Sequence, residues 1–202
     1  MNGPKRMRRA LLAALVSLPA ARSARAREKG ASARTDATAR HDAAKGADKG
    51  GERRLRLYTV NQKESLDIVY WRDGRAVPEA NDKIEHLLRD RRNGDRGAID
   101  PKLLDLLHRL RQALDTDEPF HVISAYRSPE TNAKRAATPG SGVAQGSLHV
   151  RGQAIDIRVP GMPLEKLRDA ATALKAGGVG FYPKSDFVHV DVGRVRSWVQ
   201  EE

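Results

Sequence analysis

Two histidines and one aspartate in the C-terminal half of the chain have side chains that could bind a metal ion: His149, Asp156 and His189. Imidazole nitrogen and carboxylate oxygen both suit zinc, and a zinc site that performs chemistry has about three protein ligands and one position left for water. The chain contains no cysteine, which excludes a structural zinc site made of thiolates. The sequence therefore predicts a catalytic zinc site at these three residues.

The local sequence around these residues predicts elements that aim them at one point. Residues 154–159 alternate apolar side chains with Asp156, so a strand would place Asp156 on the face opposite its apolar row. Residues 188–192 repeat this pattern around His189, and His149 lies in a glycine-flanked segment that a loop could fold over Asp156. The alternative is an ordinary sheet with two buried polar residues. We favour the metal site because two separate strands interrupt their apolar rows with ligand residues.

Five short motifs resemble those of one enzyme family. They are SAYRSP at 124–129, SLH at 147–149, GQAIDIR at 152–158, GGVG at 177–180 and DFVHVD at 186–191. In combination they resemble the murein endopeptidase K family, which is related to lysostaphin and to the D-Ala-D-Ala metallopeptidases. The resemblance covers residues 54–202. It implies a zinc-dependent peptidase that cuts peptide cross-links of peptidoglycan.

The resemblance also implies roles for residues near the predicted zinc site. The three residues named first would be the zinc ligands, and Asp186, three residues before the second histidine, would be the catalytic base. Arg127, at the end of a predicted strand, would bind substrate and share the charge that develops on the carbonyl oxygen of the scissile bond.

Two residue roles have alternatives at this point. Strict alternation along a strand puts Asp191, and not Asp186, on the face of His189, so Asp191 is the alternative base. If Asp186 is the base, Asp191 instead contacts the substrate or hydrogen-bonds to residues of the site. Ser147 contacts the substrate or orients His149, and a turn-forming role is its alternative.

The expected partners are the stem peptides and cross-links of peptidoglycan. Two other functions stay open from the sequence. One is a D-amino-acid carboxypeptidase or dipeptidase, and the other is a non-catalytic cell-wall binding module with a structural zinc. The scissile bond itself could be a D-Ala cross-link, a direct diaminopimelate cross-link or the bond to a terminal residue.

The charge distribution argues against nucleic acid as a partner. The 202-residue chain has a formal net charge of +11. Residues 1–53 hold 13 of the 37 Lys and Arg residues but only 5 of the 26 Asp and Glu residues, so most of the excess charge lies outside the candidate domain. Few aromatic residues are present, and no basic stripe is interleaved with them.

The N-terminus has the pattern of an export signal. A basic start is followed by an apolar run at 10–18 that is too short to anchor the chain in a membrane, and then by a small-x-small cleavage site at 24–26. We therefore predict a signal peptide at 1–26, no transmembrane anchor in the mature chain, and a periplasmic protein. The pair Arg8-Arg9 resembles a twin-arginine signal, and the general secretory route is the alternative.

The rest of the chain divides into a linker and a folded domain. Residues 27–53 have almost no large apolar side chains and cannot offset the entropy of folding, so they are predicted to be a disordered basic linker. Residues 54–202 are predicted to form the zinc peptidase domain. We expect an α+β fold, with a small, mostly antiparallel sheet, helices against one face and the zinc site on the open face.

Local patterns predict the elements of this domain. Asp100 is a predicted N-cap because Pro101 follows it at the first helical position, and Gly177 is a predicted helix C-cap. The predicted strands are 54–60, 65–71, 120–126, 154–159, 178–182 and 187–192, with hairpins between the first two and the last two. The predicted helices are 81–89, 101–114, a short helix beginning at Pro129, and 163–176.

Overall fold

The computed structural model describes residues 51–139, 144 and 146–200. The predicted signal peptide at 1–26 and residues 27–50 of the predicted linker lie outside the described residues. The described helices are Pro78–Leu87 (α1), Pro101–Leu114 (α2), Pro129–Ala136 (α3) and Leu164–Ala173 (α4), with a 3₁₀ helix at Leu148–Arg151. Across these described ranges, no helix combines the length and the apolar character needed to cross a bilayer.

Eight strands form one sheet in the described part of the chain. They are Arg53–Thr59 (β1), Glu64–Arg72 (β2), Arg75–Ala76 (β3), Phe120–Ser124 (β4), Ala154–Arg158 (β5), Gly178–Tyr182 (β6), Phe187–Asp191 (β7) and Arg196–Val199 (β8). The strand order is β3-β2-β1-β4-β5-β7-β6-β8. The pairs β1–β4 and β6–β8 are parallel, and the other five pairs are antiparallel.

The predicted α+β class is confirmed, but the sheet is larger than expected and it is mixed. Two of its pairings are parallel. The chain passes through β2, β3, α1 and α2 before β4 pairs with β1, and β8 returns beside β6. Strands β3 and β8, at the two edges of the sheet, have no counterpart among the predicted strands.

One face of the sheet forms the hydrophobic core. Helices α1, α2 and α4 pack against this face, which is why their apolar residues recur at helical spacing. In β5 and β7 the core side chains alternate with Asp156 and His189, so these two residues project from the opposite face. The core thus fixes the strands whose other face carries the site.

Of the two predicted helix caps, one is confirmed and the other is wrong. The Asp100 side chain accepts a hydrogen bond from the backbone N–H of Lys102, so the predicted N-cap of α2 is confirmed. Gly177 does not cap α4, because this helix ends at Ala173 and Lys175 takes the left-handed conformation. A side chain at Gly177 would instead collide with the backbone oxygen of Asp191. Glycine is needed there for close approach of two chain segments.

Candidate metal centre

Three ligand atoms converge on the open face of the sheet. His149 Nε2 lies 3.2 Å from His189 Nδ1 and 3.3 Å from Asp156 Oδ1, and His189 Nδ1 lies 2.9 Å from the same carboxylate oxygen. All three residues are buried. We refer to His149, Asp156 and His189 as the His–Asp–His cluster. The structure thus brings together the three predicted zinc ligands.

The outward-facing ring nitrogens of both histidines have acceptor partners. His149 Nδ1 lies 2.7 Å from the carbonyl oxygen of Ala125, and His189 Nε2 lies 3.2 Å from Asp191 Oδ2. A carbonyl or carboxylate oxygen only accepts, so these nitrogens carry the ring protons and the inward nitrogens of neutral rings carry lone pairs. With both rings neutral, three acceptors therefore face one another at close range. A cation bound between these acceptors offsets their mutual repulsion, so the residues fit a metal ion.

Strand pairing and one glycine turn position the cluster. Asp156 and His189 are directly paired between β5 and β7, which places their side chains side by side on one face. His149 reaches them from the 3₁₀ helix, whose C-cap residue, Gly152, has the left-handed conformation. A side chain at Gly152 would collide with the backbone oxygen of Ala98, so this turn requires glycine.

The electrostatics of the cluster favour a positive charge between its members. Burial raises the pKa of Asp156, but His149 and His189 lower it by more, so the pKa lies well below its usual range. Burial lowers the pKa of His189, whereas hydrogen bonds with Asp156 and Asp191 raise it, and the net pKa lies above its ordinary value. An environment that attracts a proton in this way also attracts a metal cation.

Asp191 is fully buried and its carboxylate orients His189. Besides the histidine, Oδ2 accepts a hydrogen bond from Arg196 Nη2 at 2.7 Å. Oδ1 accepts from the backbone N–H groups of Gly178 and Gly193, each at 2.8 Å. Burial raises the pKa of Asp191, but these donors lower it well below its usual range. Asp191 therefore lies behind His189, in contact with the ring nitrogen that faces away from the other two cluster residues.

We expect Asp191→Asn to weaken zinc binding by about 10- to 100-fold, the usual effect of losing a partner of a metal-ligating histidine. The amide has nearly the same shape but lacks the negative charge that holds the His189 ring proton. Competition with a chromogenic chelator measures the affinity. Asp169→Asn, at an exposed position on α4, is the matched control. Unchanged zinc affinity in a folded Asp191→Asn protein would contradict this role.

Arg127 lies beside the cluster and is held in place from two sides. It is 5% exposed, and its Nη1 donates to Asn132 Oδ1 at 3.1 Å. Its backbone N–H donates to the carbonyl oxygen of His149 at 3.2 Å, which ties this segment to the 3₁₀ helix. Buried Asp90 accepts a hydrogen bond from the backbone N–H of the next residue, Ser128, at 2.9 Å. Arg127 is thus fixed relative to the His–Asp–His cluster.

The cluster opens into a cleft of about 200 Å³ with an aromatic wall. The rings of Tyr182 and Phe187 stack at 4.4 Å, and Trp198 Nε1 donates to the Tyr182 hydroxyl at 3.1 Å. The Trp198 ring lies 5.3 Å from that of His189. Ser147 also lines this cleft, where it can meet a bound molecule.

Asp186 is not among the residues that the structure brings together. It lies in the turn between β6 and β7 with a left-handed φ of 54°, and its carboxylate forms an ion pair with Arg158. Its side chain is 61% exposed. Arg158 follows Asp156 by two positions on β5, so its side chain leaves the sheet on the same face as Asp156. Asp186 is therefore at the edge of the face that carries the cluster.

Several residues in or next to the site were not among those predicted from the sequence. They are Asp90, Asn132, Arg135, Tyr182, Phe187, Arg196 and Trp198. For Trp198 a signal existed, since the chain has only two tryptophans and this one follows Arg196 at the two-residue period of a strand. The other histidines of the described ranges, His86, His108 and His121, do not contribute to the cluster.

Comparison with known proteins identifies the family of the chain. The family described as peptidoglycan L,D-endopeptidase MepK matches residues 47–198, which is most of the chain. The chain belongs to this family. The MepK peptidoglycan L,D-endopeptidase of Escherichia coli strain K12 is 42% identical over 145 residues, covering 71% of this chain and 79% of that protein. That of Shigella flexneri gives the same values. The probable MepK enzyme of Haemophilus influenzae strain Rd is 42% identical over 117 residues, covering 57% of this chain and 62% of that protein.

Membership of the MepK family confirms the resemblance inferred from the five motifs. It also confirms the predicted class of enzyme, a metallopeptidase that hydrolyses peptidoglycan. The matched range contains the whole His–Asp–His cluster and every residue of the aromatic wall. The site described above is therefore the candidate active site of a MepK-family enzyme.

Proposed function

We propose that the chain is a zinc-dependent peptidoglycan L,D-endopeptidase. The observation that carries the proposal is the convergence of His149 Nε2, Asp156 Oδ1 and His189 Nδ1 in a chain of the MepK family. Zinc suits two imidazoles and one carboxylate, because a tetrahedral ion with three protein ligands keeps one position for water. When bound, zinc lowers the pKa of water to roughly 7 and polarises a carbonyl group.

Two charged residues complete the proposed mechanism. Asp186 accepts the proton of the attacking water and returns it to the amine that leaves, which is general acid–base catalysis. Arg127 stabilises the negative charge that develops on the carbonyl oxygen, because its guanidinium is fixed in advance by Asn132 and shielded from bulk water. Burial is the main cause that lowers the pKa of Arg127, to about 10, so this residue stays positively charged at neutral pH.

Three observations support Asp186 as the base in preference to Asp191. The Asp191 carboxylate is 0% exposed and fully engaged by His189, Arg196 and two backbone N–H groups. Asp186 is exposed, and among the described residues its carboxylate has one partner, Arg158, so this carboxylate can turn toward the cleft. Asp186 has a left-handed φ and is not part of the strand. The alternation that would place its side chain on the face opposite His189 therefore does not apply to it. Asp191 then orients His189, and Ser147 contacts the substrate at the edge of the cleft.

The proposed site of action is the periplasm. Peptidoglycan lies outside the cytoplasm, and the segment 1–26 has the pattern of an export signal, read by the twin-arginine or the general secretory route. Amino-terminal sequencing of the protein recovered from cells tests export. A folded cellular pool that keeps Met1 would contradict it.

Digestion of purified sacculi by the zinc-loaded full chain tests the proposed activity. We expect L,D-linked dimers to be converted to monomers while D,D-linked dimers persist, as mass analysis of the products would show. The His189→Ala protein is the control for contaminating hydrolases. Release of single amino acids from chain ends would instead indicate a carboxypeptidase. Binding to sacculi by a zinc-loaded protein that releases nothing would indicate a binding module.

A further inference from the structure

Three arginines line the cleft beside the His–Asp–His cluster: Arg127, Arg135 and Arg196. Two of them are held by protein groups, Arg127 by Asn132 and Arg196 by the carboxylate of Asp191. Arg135, half-buried in the last turn of α3, has no side-chain hydrogen bond or ion pair with any residue in 51–139, 144 or 146–200. Within the described ranges, no protein group therefore occupies its guanidinium donors.

The surroundings of Arg135 are positively charged. Burial and the nearby Arg92 lower the pKa of Arg135, and burial and Arg135 in turn lower the pKa of Arg127. The carboxylate of Asp156 is near both and that of Asp90 is near Arg127. Asp156 is already engaged by the two histidines of the cluster, and Asp90 accepts from the backbone N–H of Ser128. Like charges at close range are unfavourable unless an anion joins them. The cleft thus has positive charge that its own acids do not neutralise.

Arg127, which lines the same cleft, is only partly satisfied by the described residues. Arg127 Nε is buried and has no hydrogen-bond partner among the described residues, although the same guanidinium donates to Asn132 through Nη1. A buried donor without a partner is costly, so the guanidinium of Arg127 has unused capacity to donate. Arg127 and Arg135 together offer planar N–H donors, the geometry that binds carboxylates in pairs of hydrogen bonds.

We propose that Arg135, next to Arg127, binds a free carboxylate of the substrate that lies beside the scissile amide. This inference rests on the proposed L,D-endopeptidase function. The amine of an L,D amide belongs to a D centre that also bears a carboxyl group. In a direct cross-link between two diaminopimelate residues this carboxyl group is free. Arg135 thereby selects substrates whose D centre is charged, while Arg127 faces the carbonyl oxygen.

Two synthetic peptide dimers test this inference. Both are joined by an L,D amide between diaminopimelate residues, and the D-centre carboxyl group is free in one and amidated in the other. With the zinc-loaded full chain we expect Arg135→Ala to lower kcat/KM by about 10- to 100-fold on the free-carboxylate dimer, the usual effect of losing a hydrogen bond to a charged group. On the amidated dimer we expect almost no change. On the free-carboxylate dimer, the kcat/KM of Arg135→Lys should lie between those of the unaltered chain and Arg135→Ala. Lysine keeps the charge but not the paired donors.

Arg75→Ala is the matched control, since Arg75 is exposed on β3 at the far edge of the sheet and loses the same charge. Equal losses on both dimers, or the same loss in Arg75→Ala, would overturn the inference. Equal cleavage of the two dimers by the unaltered chain would overturn it as well and leave the proposed function intact. Cleavage of neither dimer by the unaltered chain would overturn the proposed function and, with it, this inference.

Discussion

His149→Ala and His189→Ala should each reduce bound zinc from about one ion per chain to almost none and remove hydrolysis of cross-linked peptidoglycan. Each substitution deletes one of three converging ligand atoms, and two remaining ligands do not hold a catalytic zinc at ordinary free concentrations. Elemental analysis of the purified proteins after dialysis measures the metal. Mass analysis of digested sacculi measures the activity.

His86→Ala is the matched control for these two substitutions. His86 is exposed on α1 and lies outside the cluster, so its loss should change neither zinc content nor activity. Thermal unfolding of all three variants separates loss of metal from loss of fold. Full zinc occupancy in both His149→Ala and His189→Ala would mean that the ligands are other residues.

The zinc content should also fall as the pH is lowered. Ligand histidines bind zinc in the neutral form, so protons compete with the metal. Because the pKa of His189 lies above its ordinary value, this competition begins at a higher pH than for an exposed histidine. Equilibrium dialysis of the unaltered chain across a pH series measures this effect. A zinc content that does not fall with pH would contradict it.

The face on which each predicted ligand lies could be deduced from local sequence. Apolar residues alternate with Asp156 and with His189, and alternation along a strand is a property of the backbone alone. The same rule placed Asp191 on the side of His189, where the two side chains are hydrogen-bonded. What the rule could not provide is the rotation of each ring. His149 is oriented by the carbonyl of Ala125, which is 24 positions away in the chain.

The edges of the sheet and of the site depend on pairing between distant segments. Strand β8 has only four residues, mostly exposed, and it forms because it pairs in parallel with β6. Its residues Arg196 and Trp198 acquire their roles only through that pairing, which sets them against Asp191 and His189. A single sequence shows such a short edge strand weakly, because most of its stabilisation comes from its neighbour.

The turn that carries Asp186 could be predicted only in part from the sequence. Asp and Asn tolerate the left-handed conformation better than most residues, so a turn at 183–186 is compatible with the sequence. The direction of the Asp186 side chain depends on Arg158, a residue of another strand. Strict alternation along the strand and the family resemblance therefore predicted different catalytic bases. Neither of them could predict the contact with Arg158.

Asp186→Ala should keep its zinc and lower the rate of cross-link hydrolysis by roughly 10²- to 10⁴-fold, the usual contribution of general acid–base catalysis. Asp186 is outside the cluster, so its loss leaves all three ligand atoms in place. Asp186→Glu should retain part of the activity, because a longer carboxylate on the same turn can still accept the proton. Rates are compared at equal zinc occupancy and across pH, so that metal loss is not mistaken for loss of a base.

Arg158→Ala distinguishes a base from a structural ion pair. If Asp186 acted only through its contact with Arg158, removing the arginine would reproduce the loss seen in Asp186→Ala. As the base, Asp186 should tolerate that change, and Arg158→Ala should stay close to the unaltered chain. Asp191→Ala should lower activity through weaker zinc binding, which added zinc partly restores. A zinc-loaded Asp191→Ala protein without turnover, beside an active Asp186→Ala protein, would assign the base to Asp191.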